Sequence, residues 1–193
     1  MDRRCELDFR RSAVEVESMR RLILLRHAKS DWSVAGRPDH ERELALRGND
    51  SAAKIGAYMA RHALVPDLVL CSTAVRAKRT WTLVAEAFAD PPKVIYDDRL
   101  YEVGARAILD FVRASSPQVH GLAVVGHNPG LRDLAELLIA SGDIETRQRL
   151  LEKFPTAGLA VIDFPVDEWR KLHAQSGRLD RFVAPRSLEI AID

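Results

Sequence analysis

Residues Arg21 to Trp32 read RLILLRHAKSDW. Four aliphatic side chains, Leu22 to Leu25, run without a polar break and stop at Arg26 and His27. A short apolar run that ends abruptly in charge is the pattern of a strand buried on both faces, as in a parallel sheet. Ligands of open α/β sheets bind beyond the carboxyl ends of the strands. Arg26 and His27 are therefore expected where chemistry sits. An imidazole can act as a nucleophile, and a guanidinium beside it can hold an anion.

Outward from this run, more apolar segments read as strands: Asp67 to Cys71, Lys93 to Tyr96, Gly121 to Gly126 and Ala157 to Phe164. Helical periodicity separates them. It covers Leu46 to His62, a stretch from Thr73 to about Phe88, about Arg106 to Ala114, the residues after Asn128, and Ile144 to Lys153. Residues 35–47 form a polar loop with Gly36 and Pro38, and its last part reads DHEREL. Trp169 to Leu172 has no clear assignment, and Arg178 to Ala184 alternates as an edge strand or an arm would. Strands alternating with helices predict a three-layer α/β/α sandwich with a mainly parallel central sheet.

The 193 residues suit one domain, taken as 19–193. Residues 1–18 are mostly charged and aperiodic, and Met19 stands directly before the first strand. They read either as an extension ahead of the true start or as an arm packed on the domain. A formal charge of +1, with no basic tract, argues against a general nucleic-acid or membrane surface. Any cationic site must be local. Two cysteines, Cys5 and Cys71, make no disulfide framework and fit no zinc spacing; Cys71 reads as a buried small hydrophobe. No apolar span or signal-like segment is present, and a reducing cytoplasmic setting is expected.

Three strand ends carry candidate ligand groups: Arg26-His27, Arg76 just past Ser72, and His127. If Thr73 caps its helix, Arg76 stands at the third helical position. A cation there opposes the helix dipole at a cost of a few tenths of a kcal/mol. Such violations concentrate at functional sites. Lys78 and Arg79 read as solvated charge. Asn128 is a reasonable cap with Pro129 at the first helical position, so the following helix would add N–H groups to the same anion. Two arginines and two histidines pooled in one crevice describe an oxyanion pocket. A metal site is the rival for two histidines. Adjacent guanidiniums repel a divalent cation, and no carboxylate accompanies the pair at ligand spacing, so no metal or other cofactor is expected.

The strings RHAKSDW, HEREL, STAVRAKRT, RLYEVG and VVGHNPGL resemble the histidine phosphatase superfamily, the phosphoglycerate-mutase-like fold, and within it the SixA-type phosphohistidine phosphatases. The resemblance runs from about Met19 to Ile162. It implies that His27 takes the phosphoryl group and that Arg26, Arg76 and His127 surround the phosphate oxygens. The arginines also favour a neutral His27, since like charge disfavours imidazolium. The resemblance implies two further roles. Glu102, after Leu100-Tyr101, is either the proton donor or a surface carboxylate on a turn, with Asp31 and Glu41 as spare candidates. Arg42 is a candidate for the phosphate groove. Two positions depart from the wider pattern: Ala28 replaces a glycine, and Ser33 stands where mutases tend to carry an asparagine. The other histidines, His40, His62, His120 and His173, read as surface or loop residues.

Glu102 and His127 are 25 positions apart. Mutases and larger phosphatases of the family carry long insertions there that roof the site. An open groove is therefore expected, suited to phosphohistidine displayed on a protein. The implied activity is a metal-independent phosphatase with a phosphohistidine intermediate. The alternatives are a small-molecule phosphomonoesterase for sugar or nucleotide phosphates, and a non-catalytic phosphate-binding module.

Overall fold

The apolar run is sorted by its period of two. In β1 (Arg20–Arg26), Leu22 and Leu24 enter one core, and Ile23 and Leu25 enter another; each is at most 1% exposed. Neighbouring strands alternate in step, so Leu122 and Val124 join the first core while Ala123 and Val125 join the second. This computed structural model describes residues 19–189; the extension expected at 1–18 lies outside them.

The remaining elements are α1 (Leu46–Arg61), β2 (Leu68–Ser72), α2 (Val75–Ala85), β3 (Lys93–Asp97), α3 (Ala105–Arg113), β4 (Gly121–Gly126), α4 (Gly130–Leu138), β5 (Ile139–Gly142), α5 (Ile144–Glu152), β6 (Leu159–Phe164), β7 (Gly177–Val183) and α6 (Pro185–Glu189). The strands form one sheet in the order β3-β2-β4-β1-β6-β7-β5. β3, β2, β4 and β1 run parallel; β6 is antiparallel to both β1 and β7, and β5 is parallel to β7. One face is covered by α1 and α2 through Ile55, Met59, Trp81 and Val84, the other by α3 and α4 through Ile108, Val112, Leu131 and Leu134. The three-layer α/β/α architecture and the mainly parallel sheet are as expected.

Arg21 lies opposite Asp163 in the β1–β6 register and grips its carboxylate with Nε at 2.7 Å and Nη2 at 2.8 Å. Such a two-pronged bond is geometrically specific, so it helps select the pairing register.

Three local expectations need correction. Arg178 to Ala184 is neither an edge strand nor an arm: β7 lies one place in, and the edge is β5. Leu137 to Ala140 are apolar without a break, so nothing local separates the two elements; pairing with β7 draws the chain into a strand. Thr73 does not cap α2. Ala74 holds that place, and its N–H reaches Ser72 Oγ at 3.3 Å. Asn128 does not cap α4. Asn128-Pro129 is a cis peptide, Pro129 occupies the cap position, and the Asn128 side chain donates to the Phe154 carbonyl at 2.9 Å.

Candidate active site

The site follows from the register. Arg26 pairs with Gly126 and Cys71 pairs with Val125, so the carboxyl ends of β1, β4 and β2 stand side by side. Arg26, His27, Ser72, Arg76 and His127 are thereby gathered on one edge. β3 lies next to β2, and the chain leaving it turns through a short 3₁₀ helix at Asp98–Leu100 to bring in Tyr101.

The histidine rings lie 5.0 Å apart between centroids, with His27 8% and His127 5% exposed. His27 Nδ1 is 2.8 Å from the Ala28 carbonyl, which can only accept. The proton therefore sits on Nδ1, and Nε2 keeps its lone pair. His127 has the opposite tautomer. Its Nδ1 accepts from Arg76 Nη2 at 3.3 Å, so Nε2–H donates to Ser72 Oγ at 2.9 Å. Burial pushes the His27 pKa down to about 4, with Arg76 and Arg26 adding repulsion against a bond to Ala28 that favours charge. Burial also pushes His127 down to about 3, helped by His27 and Arg76. Both rings are neutral at pH 7.

Arg76 is 4% exposed at the second position of α2. Its location follows from Thr80, whose hydroxyl donates to the Arg76 carbonyl at 2.6 Å and accepts from Ala28 N–H at 2.9 Å. One side chain thus ties the first turn of α2 to the loop after His27. Arg26 donates to the Phe154 carbonyl at 2.8 Å, while its buried Nε lacks a partner. A buried donor with no partner, beside two neutral imidazoles, suits an oxygen of an anion.

Two glycines bring the surrounding loops close. A β-carbon at Gly48 of α1 would lie 2.2 Å from the Lys29 carbonyl oxygen, and one at Gly130 would lie 2.1 Å from that of Val103. The first lets α1 sit on the chain after His27. The second lets α4 press on the segment that carries Tyr101.

Asp39 is a site residue that no local pattern marks. It lies in the 3₁₀ turn Asp39–Glu41 of the polar loop. Its Oδ2 takes Arg76 Nη2 at 2.8 Å and the Tyr101 hydroxyl at 2.8 Å, and its carbonyl takes Arg76 Nη1 at 2.6 Å. Burial pushes its carboxyl up, but the Tyr101 hydroxyl and Arg76 outweigh that and hold it below the ordinary range. His40, in the same turn of the loop, is also a site neighbour. Its Nε2 is 3.0 Å from Thr73 Oγ1, and its ring meets Tyr101 edge-on at 4.8 Å. Tyr101 meets His127 the same way at 5.3 Å. A polar loop gives no periodic signal, so only contacts distant in sequence could reveal these residues.

The other candidates lie further out. Arg42 stacks over Trp32 at 3.9 Å, with its Nε 3.4 Å from Asp39 Oδ1; it reaches the pocket through Asp39. Glu102 is exposed and has a left-handed backbone (φ 49°). Asp31 is held by the Ser33 N–H at 2.8 Å and hydroxyl at 2.9 Å, and Glu41 is exposed. Lys78 and Arg79 are exposed, as are His62, His120 and His173. Cys71 is fully buried, and burial raises its thiol pKa. Among the described residues no group of three His, Cys, Asp or Glu could hold a metal ion, and no helix is long and apolar enough to cross a membrane.

Asp39 acts as a built-in anion for Arg76. Asp39→Asn keeps the shape and removes the charge. It is expected to tighten orthophosphate as a product inhibitor by about tenfold, the effect of roughly 1.4 kcal/mol. Inhibition constants with an aryl phosphate would measure this; weaker phosphate inhibition would show that Asp39 organises the pocket instead.

The buried histidines also make stability depend on pH. Unfolded histidine takes a proton near pH 6.5, whereas His27 and His127 stay neutral in the fold to about 4 and about 3. Between pH 6.5 and 4 the unfolded chain holds more protons, so stability falls as pH falls, by up to about 1.4 kcal/mol per unit per histidine. Denaturant unfolding of wild type and His127→Asn at pH 7.5 and 5 checks this. The variant is expected to lose less stability over that interval, and an equal loss would contradict the assignment.

The geometry agrees with the comparisons. The sequence pattern of the histidine phosphatase superfamily (branch 1) matches residues 22–108. The Mycobacterium leprae protein ML1117 is 35% identical over 167 residues, 84% of this chain and 100% of that protein. A crystal structure of a SixA protein from Agrobacterium tumefaciens is 32% identical with a TM-score of 0.71, covering 86% of this chain and 98% of that one. The protein histidine phosphatase SixA complexed with tungstate, 20% identical with a TM-score of 0.68 over 87% of this chain and 99% of its own, has the same fold. The three neighbouring strand ends, the buried imidazole pair and these likenesses converge: the chain belongs to the histidine phosphatase superfamily, among its SixA-like phosphatases.

Proposed function

We propose that this phosphatase works without a metal, through a phosphohistidine on His27, and that it removes phosphate from phosphohistidine on a protein. The observation that carries this reading is the tautomer of His27: Nδ1–H is engaged by the Ala28 carbonyl, which leaves Nε2 as a neutral nucleophile. Nε2 attacks phosphorus in line and forms a P–N bond. The substrate's P–N bond breaks, and its electron pair goes to the departing imidazole, whose other nitrogen carries the proton. Water then attacks the phosphorus on His27; the P–N bond breaks, its electron pair returns to Nε2 to restore the neutral ring, and orthophosphate leaves carrying the proton that the water gives up. Phosphoryl transfer rests chiefly on positioning and on neutralising charge. Arg26 and Arg76 supply the charge, and neutral His127, whose Nε2–H rests on Ser72 Oγ, would turn that donor to a phosphate oxygen.

Two features support a protein substrate. The stretch between Glu102 and His127 is spent on α3 and β4, so it builds no roof. An imidazole with a pKa near 6.5 also leaves far more readily than an alkoxide, which suits a pocket whose candidate acid, Glu102, is exposed. Glu102→Gln is expected to leave phosphohistidine and aryl phosphate turnover within about threefold, and to slow an alkyl phosphate by about 10²-fold. Equal losses on all three would remove its acid role.

The deciding assay is phosphate release, in EDTA, from a phosphohistidine-bearing protein and from small phosphate esters. Preferred turnover of the phosphoprotein is the expected result. Cleavage of sugar or nucleotide phosphates alone would move the chain to the small-molecule phosphomonoesterases. Loss of activity in EDTA would overturn metal independence, and phosphate binding without turnover would leave a binding module.

A further inference from the structure

Beside the catalytic crevice lies a groove of about 680 Å³ that the phosphate chemistry does not use. It runs between the first turns of α1, the end of α5, the chain at Pro155 and Thr156, the end of β7 and the start of α6. Arg26 forms part of its wall and ends β1 directly before His27, so groove and crevice are contiguous. Lys29, Arg47, Arg149, Lys153 and Arg186 also line it, against a single carboxylate, Glu152. None of these five cations makes an ion pair with another described residue. The whole chain carries only +1, so the positive excess here is offset elsewhere on the molecule. Arg47 stands in the first turn of α1, where a cation opposes the dipole and no acid balances it.

We propose that this groove receives an acidic stretch of the partner polypeptide flanking its phosphorylated histidine; the inference rests on the protein-substrate reading above. The occupant follows from how the charges are distributed. A small polyanion calls for a few buried donors converging on one point. Arg47, Arg149, Lys153 and Arg186 are instead exposed, on long stems, and come from three elements: Arg47 from α1, Arg149 and Lys153 from the end of α5, and Arg186 from α6. That spread matches several carboxylates along a chain, and complementary charge of this kind guides encounter and sets register. Pro155, Phe182 and Pro185 give the groove an apolar lining for the stems of the bound segment.

The test uses the full chain and three variants: the double Arg149→Glu/Lys153→Glu, Arg186→Glu alone in case the double is unstable, and His27→Ala for binding to phosphorylated peptides. A fluorescein-labelled, unphosphorylated decapeptide of Asp and Glu is titrated by anisotropy at 20 and 200 mM salt. Wild type is expected to bind it, more weakly at the higher salt, and the double variant about tenfold more weakly still, with aryl phosphate turnover unchanged within twofold. Absence of peptide binding, or equal binding by wild type and both charge variants, would overturn the proposal. So would displacement of the peptide by inorganic pyrophosphate at far lower concentration, which would make the groove a small-anion site. In a second arm, phosphohistidine peptides flanked by Asp or by Asn are compared. An advantage of about tenfold in kcat/KM for the Asp peptide, lost in the double variant, supports the groove. If wild type dephosphorylates neither peptide while the charge variants still weaken acidic peptide binding, the substrate reading falls and the groove stands.

Discussion

His27→Ala is expected to lower phosphate release by at least about 10⁴-fold on every substrate the wild type cleaves, and to abolish acid-labile phosphate on the chain. The size follows from what is lost. No other described group combines a free imidazole lone pair with this position: His127 spends Nδ1 on Arg76 and Nε2 on Ser72. Removing a nucleophile that works as one unit with its surroundings costs nearly the whole advantage of the site. Quenched single-turnover reactions with ³²P-labelled substrate would follow both readouts, with a melting curve to show that the variant folds. Label retained at wild-type level would place the phosphoryl acceptor elsewhere. Activity kept above about one per cent would argue for direct attack by water.

Arg76→Ala is expected to reduce kcat/KM by about 10³-fold, near the loss seen when a preorganised oxyanion donor is removed. Arg76→Lys should recover only part of this, because an ammonium keeps the charge but cannot present the planar fork. The side chain touches Asp39 twice and His127 once. Its loss leaves the buried Nδ1 of His127 without its donor, at about 1–3 kcal/mol for a buried group left unsatisfied, and leaves the Asp39 carboxylate with the Tyr101 hydroxyl but without its closest cation. Pairing Arg76→Ala with Asp39→Asn should return part of that stability without returning activity. Denaturant unfolding and steady-state kinetics on the single and double variants separate the two effects. A lysine variant as fast as wild type would mean that net charge, rather than fork geometry, holds the phosphate.

Both predictions concern side chains that local sequence patterns mark out. Leu22 to Leu25 announce a doubly buried strand, and the charge at its end announces a site, because apolar runs and strand ends are local patterns. The same holds for Ser72 to Arg76 and for Gly126-His127. Arg76 is marked by an electrostatic misfit with its own helix, which needs no tertiary knowledge. Asp39, His40 and Tyr101 give no such signal. Asp39 is 37 residues from Arg76 and 62 from Tyr101, and no periodicity joins them. Glu102 shows the reverse: one residue after Tyr101, it is the natural candidate in the sequence, yet the left-handed backbone at this position accompanies an exposed carboxylate.

Local patterns thus suffice for the layered α/β class, for the strands at the centre of the sheet, and for the two arginines and two histidines at their ends. These depend on interactions within a few residues, where hydrophobic period and helix polarity are enough. Packing alone fixes the tautomer of His127, the partnership of Arg76 with Asp39, the short edge strand β5, and the basic groove beside the site. Each of these arises where segments remote in sequence meet. Hydrogen-bond direction and charge balance depend on which groups then stand within about 3 Å of one another, and a one-dimensional pattern does not carry that information.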